Sequence, residues 1–284
     1  MNPSGAALPP REVAARLAGG LTADALLAEL LGWAASFARV PVSGFAVGAV
    51  ARGVSGAVYA GANLELAGLP LGASVHAEQA AVTNAWLHGE AGLEAMAVSA
   101  SPCGHCRQFL CELADAAELR ILVAGRAPAR LGELLPGAFG PADLGVAGRL
   151  LDRAEHALQL EAGAPGDELT AAAAAAAAKA YAPYTGSFAG AALRTADGTS
   201  VAGRYAESAA YNPSLPALQA ALIALALRRS EAPVAEAVLV EAAGPTSQRS
   251  AAEAVLGLAA PGVALRYVRA RPAAPSGATM GPGG

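Results

Sequence analysis

An internal repeat constrains this chain more than any other feature of its sequence. The segment Pro-Val-Ser-Gly-Phe at residues 41–45 returns as Pro-Tyr-Thr-Gly-Ser-Phe at residues 183–188, and Gly-Ala-Asn-Leu-Glu at 61–65 returns as Gly-Arg-Tyr-Ala-Glu at 203–207. A chain of 284 residues is long enough for two domains of ordinary size. The sequence therefore predicts two related domains in tandem.

Changes in composition place the domain boundaries. Residues 1–20 are rich in Pro, Gly and Ala, and we expect them to form a flexible segment. The first domain is predicted over residues 21–150, and the run Gly-Ala-Pro-Gly at 163–166 indicates a linker over residues 151–168. The second domain is predicted over residues 169–270, and residues 271–284 are predicted to form a flexible tail.

Helical and strand patterns alternate along the first half of the chain. Apolar positions predict helices over residues 22–39, 76–88 and 104–114, and strands over residues 45–50, 57–60, 96–100 and 120–124. Eight consecutive alanines at 171–178 predict another helix, because alanine favours that conformation. Strands that alternate with helices indicate an α/β sandwich.

Charge and hydropathy argue against several kinds of partner. The 19 Lys and Arg residues are outnumbered by 23 Asp and Glu residues and form no cluster, so we expect no nucleic-acid polymer as a partner. The longest stretch without charge or histidine, residues 208–227, contains two prolines, an asparagine and a glutamine, which argues against a membrane span. The first residues lack the pattern of a secretory signal, so the chain is predicted to be cytoplasmic.

One constellation of residues indicates chemistry. His76-Ala77-Glu78 stands at the start of one predicted helix, and Pro102-Cys103-Gly104-His105-Cys106 stands at the start of another. Two thiolates and one imidazole are good zinc ligands and leave the fourth tetrahedral position for water, as in a catalytic zinc site. Residues two apart in a regular helix point in different directions, so His76 and Glu78 can face one site only at a helix start.

This signature resembles that of the zinc-dependent nucleobase deaminases, H-x-E followed by P-C-x-x-C. More narrowly, residues 21–270 are similar to the two-domain, dimeric bacterial type of cytidine deaminase, and the similarity is carried by these segments: Phe45-Ala46-Val47-Gly48-Ala49, Gly61-Ala62-Asn63-Leu64-Glu65, Val75-His76-Ala77-Glu78-Gln79, Pro102 to Phe109, Phe139-Gly140-Pro141 and Tyr205 to Pro213. The resemblance implies a three-layer α/β/α sandwich in two tandem copies. The second copy has Pro216 and Leu218 in place of His76 and Glu78, and therefore lacks the zinc site.

The resemblance also implies an activity and a set of residue roles. The reaction is hydrolytic deamination of cytidine and deoxycytidine to uridine and deoxyuridine, in pyrimidine salvage, by a homodimer. One Zn²⁺ per chain is bound by His76, Cys103 and Cys106, and Glu78 carries protons. The implied substrate contacts are the ribose pair Asn63 and Glu65, the aromatic walls Phe45 and Phe139, and backbone groups of Ala77 and Ser101 at the base edge.

Several alternative functions compete with this interpretation. The tetrapeptide Cys-Gly-His-Cys also suits a thiol oxidoreductase, although that activity has no use for His76 and Glu78. A purely structural zinc site needs a fourth protein ligand. A deaminase of this kind could also act on another amino-bearing base or nucleoside analogue, and the whole chain could be an inactive binding homologue.

Single residues also have alternative interpretations. Phenylalanines such as Phe45 and Phe139 are most often core residues, and Asn63 and Glu65 could be turn and surface residues. Arg107 could donate to a thiolate or be solvated. We expect Cys111 to be a buried apolar side chain, and His88 and His156 to lie on the surface.

Overall fold

The computed structural model describes residues 5–273. Its helices are α1 (Pro10–Leu17), α2 (Ala23–Glu29), α3 (Leu31–Ala35), α4 (Ala77–Leu87), α5 (Gly104–Leu110), α6 (Leu131–Leu134), α7 (Glu168–Ala178), α8 (Ala217–Leu227) and α9 (Arg249–Ala259). Its strands are β1 (Ala7–Leu8), β2 (Gly48–Gly53), β3 (Val58–Ala62), β4 (Leu93–Val98), β5 (Arg120–Val123), β6 (Ala129–Arg130), β7 (Leu158–Leu160), β8 (Ala189–Thr195), β9 (Ser200–Arg204), β10 (Val234–Ala242) and β11 (Leu265–Pro272). Among the helices of this range, none is long and apolar enough to cross a membrane.

The strands form two sheets of the same design. The first sheet has the order β1-β3-β2-β4-β5-β6 and the second has the order β7-β11-β10-β8-β9. In each sheet one parallel pair, β4 with β5 or β10 with β11, lies beside an antiparallel hairpin, β2 with β3 or β8 with β9. The order β3-β2-β4-β5 is therefore repeated as β9-β8-β10-β11, which is the structural form of the sequence repeat.

Helices cover both faces of the first sheet at very short distances. A Cβ added to Gly48 on β2 would lie 2.5 Å from the backbone nitrogen of Ala35 in α3, and one added to Gly61 on β3 would lie 2.1 Å from that of Ala81 in α4. Gly61 pairs with Ala49, which points to the face opposite Gly48. The helices α3 and α4 therefore lie on opposite faces.

The second sheet is covered in the same way. A Cβ on Gly190 of β8 would meet the backbone nitrogen of Ala177 in α7 at 2.2 Å, and one on Gly203 of β9 would meet that of Ala221 in α8 at 2.1 Å. The predicted three-layer α/β/α sandwich in two tandem copies is confirmed by this arrangement.

A buried carboxylate joins the two copies. Glu112, just beyond the end of α5, is fully buried, and it accepts hydrogen bonds from the hydroxyls of Tyr181 and Tyr184 at 3.0 and 2.6 Å and from the backbone N–H of Ala209 at 2.7 Å. Burial raises the pKa of Glu112, and the hydrogen bonds lower it. Because a buried carboxylate without partners is costly, these contacts from the second copy support the helix that carries the two cysteines.

The structure differs from the sequence prediction in the segments that flank the domains. Part of the predicted flexible segment, residues 7–17, forms regular structure: β1 pairs antiparallel with β3, α1 follows it, and Leu8 is fully buried. Within the predicted linker, β7 pairs with β11. The apolar residues of both segments are placed against sheets, and this explains the difference. The predicted tail overlaps the end of β11, and residues 274–284 lie outside the described residues.

The two histidines that are predicted to lie on the surface differ in the structure. His88 is exposed at the end of α4, which confirms the prediction, and its Nδ1 lies 2.8 Å from the carbonyl oxygen of Asn84. His156 is half-buried, and its ring stacks on Phe188 with the ring centroids 3.7 Å apart. The His156 ring therefore packs against the protein instead of being fully solvated.

Candidate functional site

The start of α4 presents His76 and Glu78 to one place. His76 is the residue before the helix and has an extended backbone, with φ −89° and ψ 158°, so the angular spacing of helical residues does not apply to it. Glu78 is the second residue of the helix and is 3% exposed. The start of the helix thus allows the pair of residues to face one site, as the sequence predicts.

The start of α5 presents the two cysteines. Cys103 precedes the helix with an extended backbone, and Cys106 lies in its first turn and is buried. Arg107 braces this segment, because its Nε donates to the carbonyl oxygen of Pro102 at 3.0 Å and its Nη1 donates to that of Leu134 at 2.7 Å. Arg107 is therefore a backbone brace, which differs from both roles considered for it.

The ligand atoms of His76, Cys103 and Cys106 converge. The Nδ1 atom of His76 lies 3.4 Å from Sγ of Cys103 and 3.3 Å from Sγ of Cys106, and the two sulfurs lie 3.6 Å apart. Atoms at roughly 2.3 Å (sulfur) and 2.1 Å (nitrogen) from a tetrahedral zinc ion are about 3.5–3.8 Å from one another. The three atoms therefore fit one zinc ion, and among the described residues theirs is the one such group of metal-binding side chains.

The pKa values of the two thiols are shifted in opposite directions. A hydrogen bond with the Cys106 thiol lowers the pKa of Cys103 to about 4, and the same hydrogen bond raises the pKa of Cys106. Both cysteines are free thiols, and a metal ion that binds both sulfurs displaces the proton they share. The two sulfurs lie 3.6 Å apart, and the imidazole of His76 lies beside both of them. This arrangement favours a metal site over a thiol–disulfide site.

Glu78 is a carboxyl group held in an apolar place beside the thiols. Burial raises its pKa, while its hydrogen bond to Cys106 and the neighbouring His76 lower it. A carboxylate that is buried at a cost in stability and aimed at a metal-binding group is typical of an acid–base residue.

The predicted ribose pair lies at the end of β3. The Oδ1 atom of Asn63 accepts a hydrogen bond from the backbone of Val47 at 2.8 Å, and its Nδ2 donates to the carbonyl oxygen of Phe45 at 2.9 Å. The Oε2 atom of Glu65 accepts from the backbone of Val42 and Ser43 at 2.9 and 3.0 Å. Both side chains are half-buried and bonded, so they are not ordinary surface residues.

The two predicted aromatic walls are exposed, which excludes the core interpretation. Phe45 is 62% exposed and Phe139 is 43% exposed. Phe139 is attached to the site through Gln108 of α5, whose Nε2 donates to the Phe139 carbonyl oxygen at 2.8 Å. Ala77 is the fully buried first residue of α4, and Ser101 is exposed in the connection before Pro102. Their role at the base edge stays a prediction.

One residue of the site was missed by the sequence analysis. The hydroxyl of Ser43 donates to Oε1 of Glu65 and accepts from the backbone N–H of Phe45 at 3.0 Å. Ser43 thus connects a predicted ribose residue to a predicted aromatic wall. The repeat contains a signal for it, because the equivalent position in the second half is another hydroxyl residue, Thr185.

The second copy has no zinc ligands at the corresponding helix starts. Pro216 precedes α8 in the place of His76, and Gln248 precedes α9, the helix that corresponds to α5. The Oε1 atom of Gln248 accepts a hydrogen bond from the backbone of Ala217 at 2.9 Å. A side-chain amide thus links the two helix starts in the second copy, where the first copy has its metal-binding group.

Comparisons with known proteins show which family this chain is similar to. Family models described as "Cytidine and deoxycytidylate deaminase zinc-binding region" match residues 23–121 and 131–253. A protein named cytidine deaminase from Serratia proteamaculans (strain 568) is 52% identical over 204 residues, which cover 72% of this chain and 68% of the relative. One of the same name from Yersinia pestis (strain Pestoides F) is 53% identical with the same coverage. A crystal structure of cytidine deaminase from Mycobacterium tuberculosis is similar with a TM-score of 0.39 and 39% identity, over 42% of this chain and 99% of that one.

We predict one zinc ion per chain, bound by His76, Cys103 and Cys106. Cys106→Ser should lose most of the zinc, because a serine hydroxyl is a poor zinc ligand. The control is Cys111→Ser, since the Cys111 thiol at the end of the same helix donates to the carbonyl oxygen of Arg107 instead. Elemental analysis of the purified proteins measures both, and full zinc content in Cys106→Ser would contradict the assignment.

Proposed function

The chain belongs to the cytidine deaminase family, and from that premise we propose that it catalyses hydrolytic deamination of cytidine and deoxycytidine. The products are uridine or deoxyuridine and ammonia. The observation that carries the proposal is the meeting of His76, Cys103 and Cys106 beside the buried carboxyl group of Glu78. Water is the only co-reactant, so the site has to bind a nucleoside, activate water and move protons.

Zinc bound by His76, Cys103 and Cys106 supplies a Lewis acid that makes a water molecule easier to deprotonate. The two thiolates offset the charge of the ion, so they limit this effect compared with three neutral ligands. The chain therefore depends all the more on a base of its own beside the metal.

Glu78 is that base. Its carboxylate accepts a proton from the attacking water and delivers it to N3 of the cytosine ring as the oxygen adds to C4. Glu78 then takes the remaining proton and passes it to the amino group, which leaves as ammonia. The raised pKa that burial causes suits a carboxyl group that must both accept and release a proton.

We predict that Glu78→Gln binds zinc and folds normally but loses roughly 10²- to 10⁴-fold in kcat, because an amide cannot accept the proton. The matched control is Glu94→Gln, the same change at an exposed position on β4. Ammonia release from cytidine and zinc analysis are measured on both proteins. A Glu78→Gln protein within a few-fold of the parent would show that another group moves the proton.

Asn63 and Glu65 have hydrogen-bonding capacity left for a sugar. Asn63 uses one acceptor position of its oxygen for Val47 and one N–H for Phe45, which leaves one N–H and one acceptor position. Glu65 accepts three hydrogen bonds from residues 42 and 43, which leaves one acceptor position on Oε1. One donor beside one acceptor suits a hydroxyl group, which can accept and donate at once. We infer that this pair binds the ribose, with Phe45 and Phe139 as walls beside the base.

The substrate range follows from that pair. Cytidine and deoxycytidine should be accepted, free cytosine should be used about 100-fold less efficiently, and cytidine 5′-phosphate should be used hardly at all. Free cytosine has no sugar, so it leaves the polar groups of Asn63 and Glu65 without a partner. Cytidine 5′-phosphate carries a negative charge, which the Glu65 carboxylate repels. The Ser43 hydroxyl is the chief cause that lowers the pKa of Glu65 and so favours its charged form. Values of kcat/KM for the four compounds measure this. Comparable efficiency on cytosine would contradict the ribose role.

We also infer that the protein is a homodimer. Among the described residues eight large apolar side chains are exposed, and five of them lie on segments that contain, flank or hydrogen-bond to residues of the site, namely Val42, Phe45, Leu71, Phe139 and Tyr211. The segment that carries Tyr211 is held against α4, since Gln79 donates to the carbonyl oxygen of Pro213 at 2.8 Å. Exposed apolar residues concentrated near one site are typical of a protein interface, and two-fold dimers are the commonest oligomers.

Sedimentation should therefore give about twice the mass of the 27.8 kDa chain. Leu71→Asp should weaken the dimer and lower activity, because Leu71 is 76% exposed in the turn that leads to His76. The control is Val54→Asp, at a position that is 54% exposed between β2 and β3, at the far end of β2 from the site. A fully active monomer would contradict the proposal.

We propose cytoplasmic pyrimidine salvage as the setting of the reaction. The metal-binding thiols must stay reduced, and a reducing compartment keeps them so. A pyrimidine-requiring bacterial strain that lacks its own cytidine deaminase tests that setting. Expression of this chain should restore the growth of that strain on cytidine.

A further inference from the structure

A hydrogen-bonded clamp holds the loop before β2. Glu65 accepts from the backbone N–H groups of Val42 and Ser43 and from the Ser43 hydroxyl, and that hydroxyl accepts in turn from the backbone of Phe45. One carboxylate and one hydroxyl therefore fix three residues of the loop, Val42, Ser43 and Phe45, relative to the end of β3.

The second copy contains the same clamp. Glu207 accepts from the backbone of Tyr184 at 2.9 Å, from that of Thr185 at 3.2 Å, and from the Thr185 hydroxyl. The Thr185 hydroxyl accepts from the backbone of Ser187 at 3.0 Å. Every bond of the first clamp thus has its counterpart, although this copy has no zinc ligands. Holding the loop is therefore a function of the clamp in its own right, separate from any contact with substrate.

The two clamps differ in what they present. The carboxylate of Glu207 is 1% exposed, and the loop it holds ends in the buried Ser187. In the first copy the carboxylate of Glu65 is half-buried, and the loop carries the exposed ring of Phe45. Two residues before the carboxylate, the first copy has Asn63 where the second copy has Tyr205. The first copy thus has an open clamp, with an acceptor position and an aromatic ring at the surface of the site.

We propose that Ser43 is a positioning residue for the nucleoside. Its hydroxyl occupies one side of Oε1 of Glu65, so that the remaining acceptor position has a fixed direction, and it also fixes the backbone of Phe45. The sugar acceptor and the aromatic wall are then set by one group. The inference depends on the proposed function, because it assigns how that site recognises its nucleoside.

Ser43→Ala should raise KM for cytidine roughly 10-fold. The alanine can neither donate a hydrogen bond to the Glu65 carboxylate nor accept one from the backbone N–H of Phe45. Its kcat should change less than about 2-fold, because the Ser43 hydroxyl is bonded to Glu65 and Phe45 and not to α4 or α5, which position the residues for the proton and metal chemistry. Ser43→Thr should restore the parental KM, because threonine makes the same bonds in the second copy.

The matched control is Thr185→Ala, which removes the same hydroxyl from the second clamp. Thr185→Ala should lower the melting temperature at least as much as Ser43→Ala does, because Glu207, which loses the hydrogen bond, is more deeply buried than Glu65. It should leave KM for cytidine unchanged. An equal rise of KM in both alanine variants, a loss confined to kcat, or a Ser43→Thr protein that resembles Ser43→Ala would each overturn the inference. A parent protein that releases no ammonia from cytidine would defeat the proposed function itself, whereas an active parent with an unchanged Ser43→Ala KM would defeat the clamp alone.

Discussion

The contact between α4 and β3 is the constraint on which the site depends. The helix can lie this close to the sheet only because position 61 has no side chain, since a Cβ on Gly61 would lie 2.1 Å from a backbone nitrogen of α4. The close contact places the helix start, with His76 and Glu78, beside the end of the strand that leads to Asn63. The same close contact requires small side chains on α4. Ala77, Ala80 and Ala81 are completely buried there and fill the narrow space.

The two copies separate what the fold needs from what the chemistry needs. Both keep the glycine contact, the strand order and the clamp on the loop before the second strand of the sheet. They differ where a proton or a metal is handled, since Leu218, 1% exposed, stands in the place of Glu78. A leucine is the better choice for stability in such a position, because burial of a carboxylate is costly. The first copy accepts this cost, and the acid–base role that we propose for Glu78 accounts for it.

The second copy also supports the first one directly. It satisfies Glu112 at the end of α5 and Gln79 in the first turn of α4, so both helices of the site are held by residues of the other domain. The apolar core is continuous across the two copies. A buried carboxylate that depends on donors from a second domain makes the arrangement of the domains part of the stability of the site.

Local patterns in the sequence determined the α/β class, the doubled architecture and the residues of the candidate metal centre. Periodicity and alanine content specify helices and strands over short windows, and the spacing of His76, Glu78 and the two cysteines identifies the chemistry they suit. Only the tertiary structure decided the pairing of β1 with β3, the backbone contacts of Arg107 and the part that Ser43 plays in the clamp. A two-residue strand has no periodic signal, and a side-chain hydrogen bond depends on where distant segments meet. Such contacts follow from packing between elements, which no local pattern of residues specifies.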